Sequence, residues 1–117
     1  MNLKEAASAL SSLSQESRLK AFKLLVKAGF DGLFAGEISK KMDVPQNTMS
    51  FHLAHLEKNK LIKKSKSGRC VTYTANFKAM ENLIKFLFEN CCVDSGEKSC
   101  IDPNLFKDCK KKWKQKS

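Results

Sequence analysis

Three observations in the sequence predict a mainly α-helical domain with a two-stranded wing, the winged helix-turn-helix arrangement. Apolar residues recur at helical spacing in five separate segments. Two short alternating segments, 61–66 and 70–74, flank a turn at Ser67-Gly68-Arg69, and Asp43-Val44-Pro45 makes a tight joint between the third and fourth helices. At 117 residues and 42% hydrophobic, the chain is long enough for one modest core and too short for two.

The first helix, Leu3 to Leu13, follows from Leu3, Ala6, Ala7 and Leu10. Asn2 is placed to cap it and Glu5 to complete a capping box. Ser14 interrupts the pattern. A second helix runs from Arg18 to Ala28, with Leu19, Phe22, Leu25 and Val26 as its expected inner face, and Gly29 ends it. Residues 30–34 are short and apolar enough for an edge strand. Glu37 to Met42 reads as a short third helix with Ile38 and Met42 inward.

The residue before a proline avoids helical torsions, and proline itself suits a first helical turn. The fourth helix therefore starts at Pro45 and runs to about Lys60. Met49, Leu53 and Leu56 commit one side of it to the core; Asn47, Thr48, Phe51, Ala54, His55 and Lys58 fall on the other. His52 lies at the core edge and reads as a packed or capping histidine rather than a base reader. Asn76 caps a last helix to about Asn90, whose stripe is Phe77, Met80, Leu83, Ile84, Leu87 and Phe88. The folded unit is thus 1–92, and 93–117 reads as a flexible tail containing cysteines and lysines.

Charge narrows the function. The chain carries 22 Lys and Arg against 12 Asp and Glu, a net charge of +10, and residues 1–90 are themselves basic. Such a surface attracts polyanions by releasing their counterions, and nucleic acid is the commonest one. No segment is apolar for long enough to span a bilayer and no signal peptide is recognisable, so a cytoplasmic protein without a membrane partner is expected. A phosphate-cradling glycine loop, paired carboxylates and a Cys-His arrangement cannot be identified, so no enzyme is expected.

A helix-turn-helix sets its second helix in the major groove. Gln46, Asn47, Thr48, Ser50 and His55 supply donors and acceptors there. Gln and Asn pair bidentately with adenine, and an outward Phe51 suits a thymine methyl. Lys58, Lys63, Lys64, Lys66 and Arg69 suit phosphates at the helix end and along the wing, contacts that position the protein without specifying sequence. The alternative is a helical hairpin whose polar face is merely wet. The joint, helix, wing and charge favour the DNA reading because they agree with one another.

Four of the five cysteines crowd into positions 91–109, unlike the spread of a secreted disulfide framework. Cys91 and Cys92 are adjacent, and in regular structure their Cβ atoms point apart, so they are not expected to bond each other. Cys70, in the wing, is expected to be a buried small hydrophobe. The lysine-rich run Lys110 to Lys116 reads as a solvated tail with some nonspecific affinity for phosphates.

The stretch Leu13-Ser14-Gln15-Glu16-Ser17-Arg18-Leu19-Lys20-Ala21-Phe22-Lys23-Leu24-Leu25 resembles the opening of ArsR/SmtB repressors. Gln46 to Leu56, with Ser50-Phe51-His52-Leu53, is similar to their recognition helix, and Gly68 to Tyr73 to their wing. The resemblance covers residues 1–92. It implies a homodimeric repressor that binds an inverted repeat in double-stranded DNA, pairs through its first and last helices, and lets go on binding a metal or metalloid.

The common sensor sites of that family have no counterpart here. Leu33 to Ile38 contains no cysteine, and Phe77 to Asn90 contains no Asp or His. Glu89-Asn90-Cys91-Cys92 followed by Cys100 instead resembles variant arsenic-responsive members. Three thiolates from Cys91, Cys92 and Cys100 make a soft site suited to As(III) or Sb(III), with no obligatory cofactor. Ser95-Gly96 allows the segment to fold back, and Lys98 favours the thiolate forms. Cys109 is the alternative third ligand, or a fourth in a tetrahedral zinc or cadmium site. Oxidation of the same cysteines by peroxide or persulfide is the alternative trigger.

Overall fold

The computed structural model describes residues 1–97 together with Asp102, Asn104 and Leu105. Cys100, Cys109 and the lysine run Lys110 to Lys116 lie outside the described residues.

Among the described residues five helices and a small sheet follow the expected order, and the fold is a winged helix-turn-helix. Helix α1 spans Leu3–Leu13, α2 Glu16–Ala28, α3 Ala35–Met42, α4 Gln46–Lys58 and α5 Phe77–Leu87. Strand β1 is Leu33–Phe34, β2 Ile62–Ser67 and β3 Cys70–Ala75. They pair antiparallel in the order β1-β3-β2, with Leu33 opposite Tyr73 and Ile62 opposite Ala75. A short 3₁₀ turn, Gly29–Asp31, takes up the first two residues of the expected edge strand, Gly32 follows, and only two residues are left to pair. Gly32 brings that strand in at φ 68°, where a Cβ would collide with the Tyr73 carbonyl oxygen.

Local chemistry sets the helix ends. Asn2 accepts the Glu5 amide at 2.8 Å to open α1. Gln15, two residues earlier than expected, accepts the Arg18 amide at 2.8 Å and starts α2 at Glu16. Asp43 stops α3 in the left-handed region at φ 53°, and Pro45 follows as the α4 N-cap. Helix α4 ends in a Schellman motif: Leu61 N–H bonds the Leu56 carbonyl at 3.0 Å and Lys60 N–H that of Glu57 at 2.9 Å.

The core collects Phe22 and Leu25 of α2, Ile38 of α3, Met49, Leu53 and Leu56 of α4, Leu61 and Ile62 at the start of the wing, and Leu83 of α5. Two expected inner faces are rotated. Helix α1 buries the small residues Ala6, Ala9 and Ser12, while Leu3 and Leu10 stay exposed. In α2, Ala21 is inside, and Leu19 and Val26 are outside. Small residues let α1 lie close against its neighbours and push its bulky side chains outward. Helix α5 ends at Leu87 rather than Asn90, because turns with positive φ at Asn90 and Cys92 follow it.

Candidate nucleic-acid interface and thiol pair

Residues at the N-terminal end of α4 form one open surface. Gln46, Asn47, Thr48, Ser50 and Phe51 are all exposed, Phe51 at 66%. Pro45 contributes no side-chain cap, and Asn47 Oδ1 accepts the Thr48 amide at 2.9 Å, so the positive end of the helix dipole opens on this surface, a setting that suits a phosphate. Beneath this surface Met49, Leu53 and Leu56 are fully buried and fix the helix on its scaffold.

His55 does not belong to that surface. The helical wheel puts it outward, but its Nδ1 lies 2.9 Å from Ser12 Oγ of α1 and 3.4 Å from Asn59 Nδ2, and the residue is half-buried. It sits at the edge of the buried face, where α1 crosses α4, and a completely buried hydroxyl captures it. Sequence reasoning missed this bridge. The available signal was Ser12 itself, a hydroxyl in register with Ala6 and Ala9 at helical spacing. Arg18 Nε donates to the Ser12 carbonyl at 2.8 Å, tying α2 into the same joint. His52 is buried as expected. Its pKa is held below the ordinary value by burial first, then by the Arg18 guanidinium and the His55 ring.

The wing projects as a bare ribbon. Within β2 only Ile62 is buried; Lys63, Lys64 and Lys66 are exposed, as is Arg69 at the tip. Gly68 has φ 62°, which only glycine adopts without strain in this tight turn. Cys70, expected to be buried, is exposed, because it pairs with Ser67 at the tip, beyond the core. Lys58 stands apart from Gln46 by twelve residues, about 18 Å along the helix axis.

The structure brings Cys91 and Cys92 together. Both are partly buried in the turns after α5, and their Sγ atoms are 3.5 Å apart. The expectation that adjacent cysteines point apart holds for regular structure. Here Cys92 is at φ 61°, which swings the second thiol back toward the first. Among the described residues no group of three His, Cys, Asp or Glu side chains converges, so this pair is the described part of any thiol site. Also among them, no helix is long and apolar enough to cross a membrane.

Residues 13–65 match the family described as a helix-turn-helix domain. The chain is 28% identical over 91 residues to the transcriptional activator HlyU of Vibrio cholerae serotype O1, covering 78% of this chain and 82% of that protein. The solved structure of HlyU from Vibrio cholerae N16961 superposes with a TM-score of 0.57 at 30% identity, over 75% of this chain and 98% of that one. A structure of reduced HlyU gives 0.57 at 29%, over 74% and 90%. An ArsR-like transcriptional regulator from Rhodococcus sp. RHA1 gives 0.64 at 25% identity, over 72% of this chain and 76% of that one. The transcriptional repressor PagR of Bacillus anthracis gives 0.61 at 28%, over 73% and 94%. With its exposed α4 surface and basic wing, the chain belongs to the ArsR-like family of winged helix-turn-helix, DNA-binding transcriptional regulators.

Proposed function

We propose that the protein is a homodimeric cytoplasmic repressor that reads an inverted repeat and leaves it when trivalent arsenic or antimony binds Cys91, Cys92 and Cys100. The observation that carries this reading is the 3.5 Å separation of the Cys91 and Cys92 sulfurs, immediately beyond α5. A trivalent arsenic or antimony centre takes three soft sulfur donors, and two adjacent thiols already in contact lose little freedom on binding it. Cys100 is assigned the third place through the segment that begins at Val93.

Dimerisation is assigned to α1 and α5, whose exposed Leu3, Leu10, Leu87 and Phe88 favour cover by a second copy. Two copies carry two α4 helices, which suit half-sites one helical turn of DNA apart. Gln46, Asn47, Thr48, Ser50 and Phe51 read bases, and Lys64, Lys66 and Arg69 hold backbone. Ligation at the end of α5 bears directly on the dimer helix and so on the spacing of the two reading helices. By linkage, operator DNA weakens inducer binding by the same factor that inducer weakens operator binding.

A second reading keeps the same thiols and changes the trigger to oxidation. The contact between the two sulfurs favours it, and so does the likeness to HlyU, one of whose structures is described as reduced. Cadmium or zinc with Cys109 added is the other variant of the site. Fluorescence anisotropy on the DNA upstream of the protein's own gene, at fixed salt with reductant, separates these readings. Release by arsenite that is absent in the Cys91→Ser, Cys92→Ser double variant supports the arsenic reading. Release only by peroxide, reversed by reductant, replaces it. Normal arsenite release by the double variant removes the thiol site altogether.

A further inference from the structure

A second feature of the molecule lies away from both the reading surface and the thiols. Between the start of α1, the end of α4 and the start of α5 is a cleft of about 510 Å³, within the size range of small-molecule sites. Its walls carry Lys4, Lys58, Lys60 and Lys78, and one acidic residue, Glu5. Lys78 is 3.4 Å from the buried carboxylate of Glu81. No ion pair links Lys4, Lys58 or Lys60 to a carboxylate among the described residues.

The backbone adds to this excess of positive charge. The capping residues of both α1 and α5, Asn2 and Asn76, line the cleft, so two helix dipoles present their positive ends to it. Lys60 occupies the C′ position of α4 at φ 62°, where glycine is the unstrained choice. Its carbonyl is held by Asn76 Nδ2 at 2.9 Å. A lysine at that position is a poor choice for ending a helix and places a cation beside the cleft. The exposed apolar residues Leu87 and Phe88 lie at the far end of α5.

We infer that this cleft binds a small polyanion, a metabolite bearing two or more phosphate or carboxylate groups. The site is independent of the cysteines. It touches the joint where the reading helix, the wing and the dimer helix meet, so an anion there has access to DNA affinity.

The test is isothermal titration of the full-length protein with inorganic pyrophosphate, and separately with citrate, at constant ionic strength. Saturable binding of one anion per chain is expected, weakened about tenfold in Lys4→Gln by loss of one close charge. Pyrophosphate binding alone identifies phosphate groups as the target; binding of both identifies polyanions generally. Lys60→Gly is the sharper variant, because it removes the cation and relaxes the backbone. It should weaken pyrophosphate binding about tenfold while its melting temperature holds or rises. Undiminished binding in Lys60→Gly overturns the proposal, as does heat that never saturates. Displacement of pyrophosphate by short nonspecific duplex, with equal loss of duplex affinity in Lys60→Gly, also overturns it and makes the cleft a DNA backbone contact.

Discussion

Ser12 Oγ lies 2.9 Å from His55 Nδ1, so a buried hydroxyl on the first helix holds a ring on the reading helix. The two residues are 43 positions apart, and the bond fixes how α4 is set against α1.

Replacing Ser12 with Ala leaves the His55 ring nitrogen with the longer Asn59 interaction and opens a small void. The expected cost is about 1–2 kcal/mol of stability, read from urea unfolding. Operator affinity should fall as well, because α4 is then held less firmly against α1. Unchanged stability would mean that the bridge is incidental.

Phe51 is 66% exposed, and its ring meets the His52 ring edge-on at 6.2 Å between centroids. Phe51→Ala should leave the melting temperature unchanged. It should weaken operator binding by about 1–3 kcal/mol per half-site, the range of one good base contact, with little effect on nonspecific DNA. A parallel loss on both DNAs would move Phe51 from reading to general docking.

Lys64 and Lys66 stand on the bare ribbon of the wing. The double variant Lys64→Gln, Lys66→Gln should reduce the slope of log affinity against log salt by about four for the bound dimer, about one unit for each of the phosphates, two per protomer, that is no longer neutralised. Sequence preference should not change. Titrations at several salt concentrations on operator and scrambled duplex decide this.

His52 has its pKa held below 6.5 in the folded protein, chiefly by burial. The unfolded chain therefore takes up this proton first as pH falls. The contribution to stability is complete above 6.5 and is lost as pH drops toward the folded value. The urea midpoint should fall between pH 7.5 and pH 5.5, and His52→Gln should flatten that part of the profile. An equally steep fall in the variant would assign the effect to other groups.

Much of the fold was legible from local chemistry. Asn2, Pro45, Gly68 and Asn76 each carry a conformational preference strong enough to mark a boundary. The buried triplet Met49, Leu53 and Leu56 follows directly from helical period. The faces of α1 and α2 were not legible, because periodicity selects the bulkiest residues, and here Leu3, Leu10, Leu19 and Val26 point away from the core. His55 and Cys70 were misplaced for a related reason. One is captured by a residue distant in sequence, and the other lies on a strand that runs past the core. The approach of Cys91 to Cys92 depends on a positive φ at a residue that rarely adopts one, which no pattern of residue types announces.

Leu61 joins three parts of the molecule. Its amide bonds the end of α4 at Leu56, its carbonyl accepts the Asn76 amide at the head of α5 at 2.9 Å, and the wing begins at the next residue. The groove-reading helix and the backbone-gripping ribbon are therefore hinged at one point and cannot swing separately. On the proposed mechanism a push at α5 would lift both from the duplex together, leaving no state with the helix withdrawn and the wing still engaged. Departure from DNA should run as a single exponential, without a lingering half-bound population.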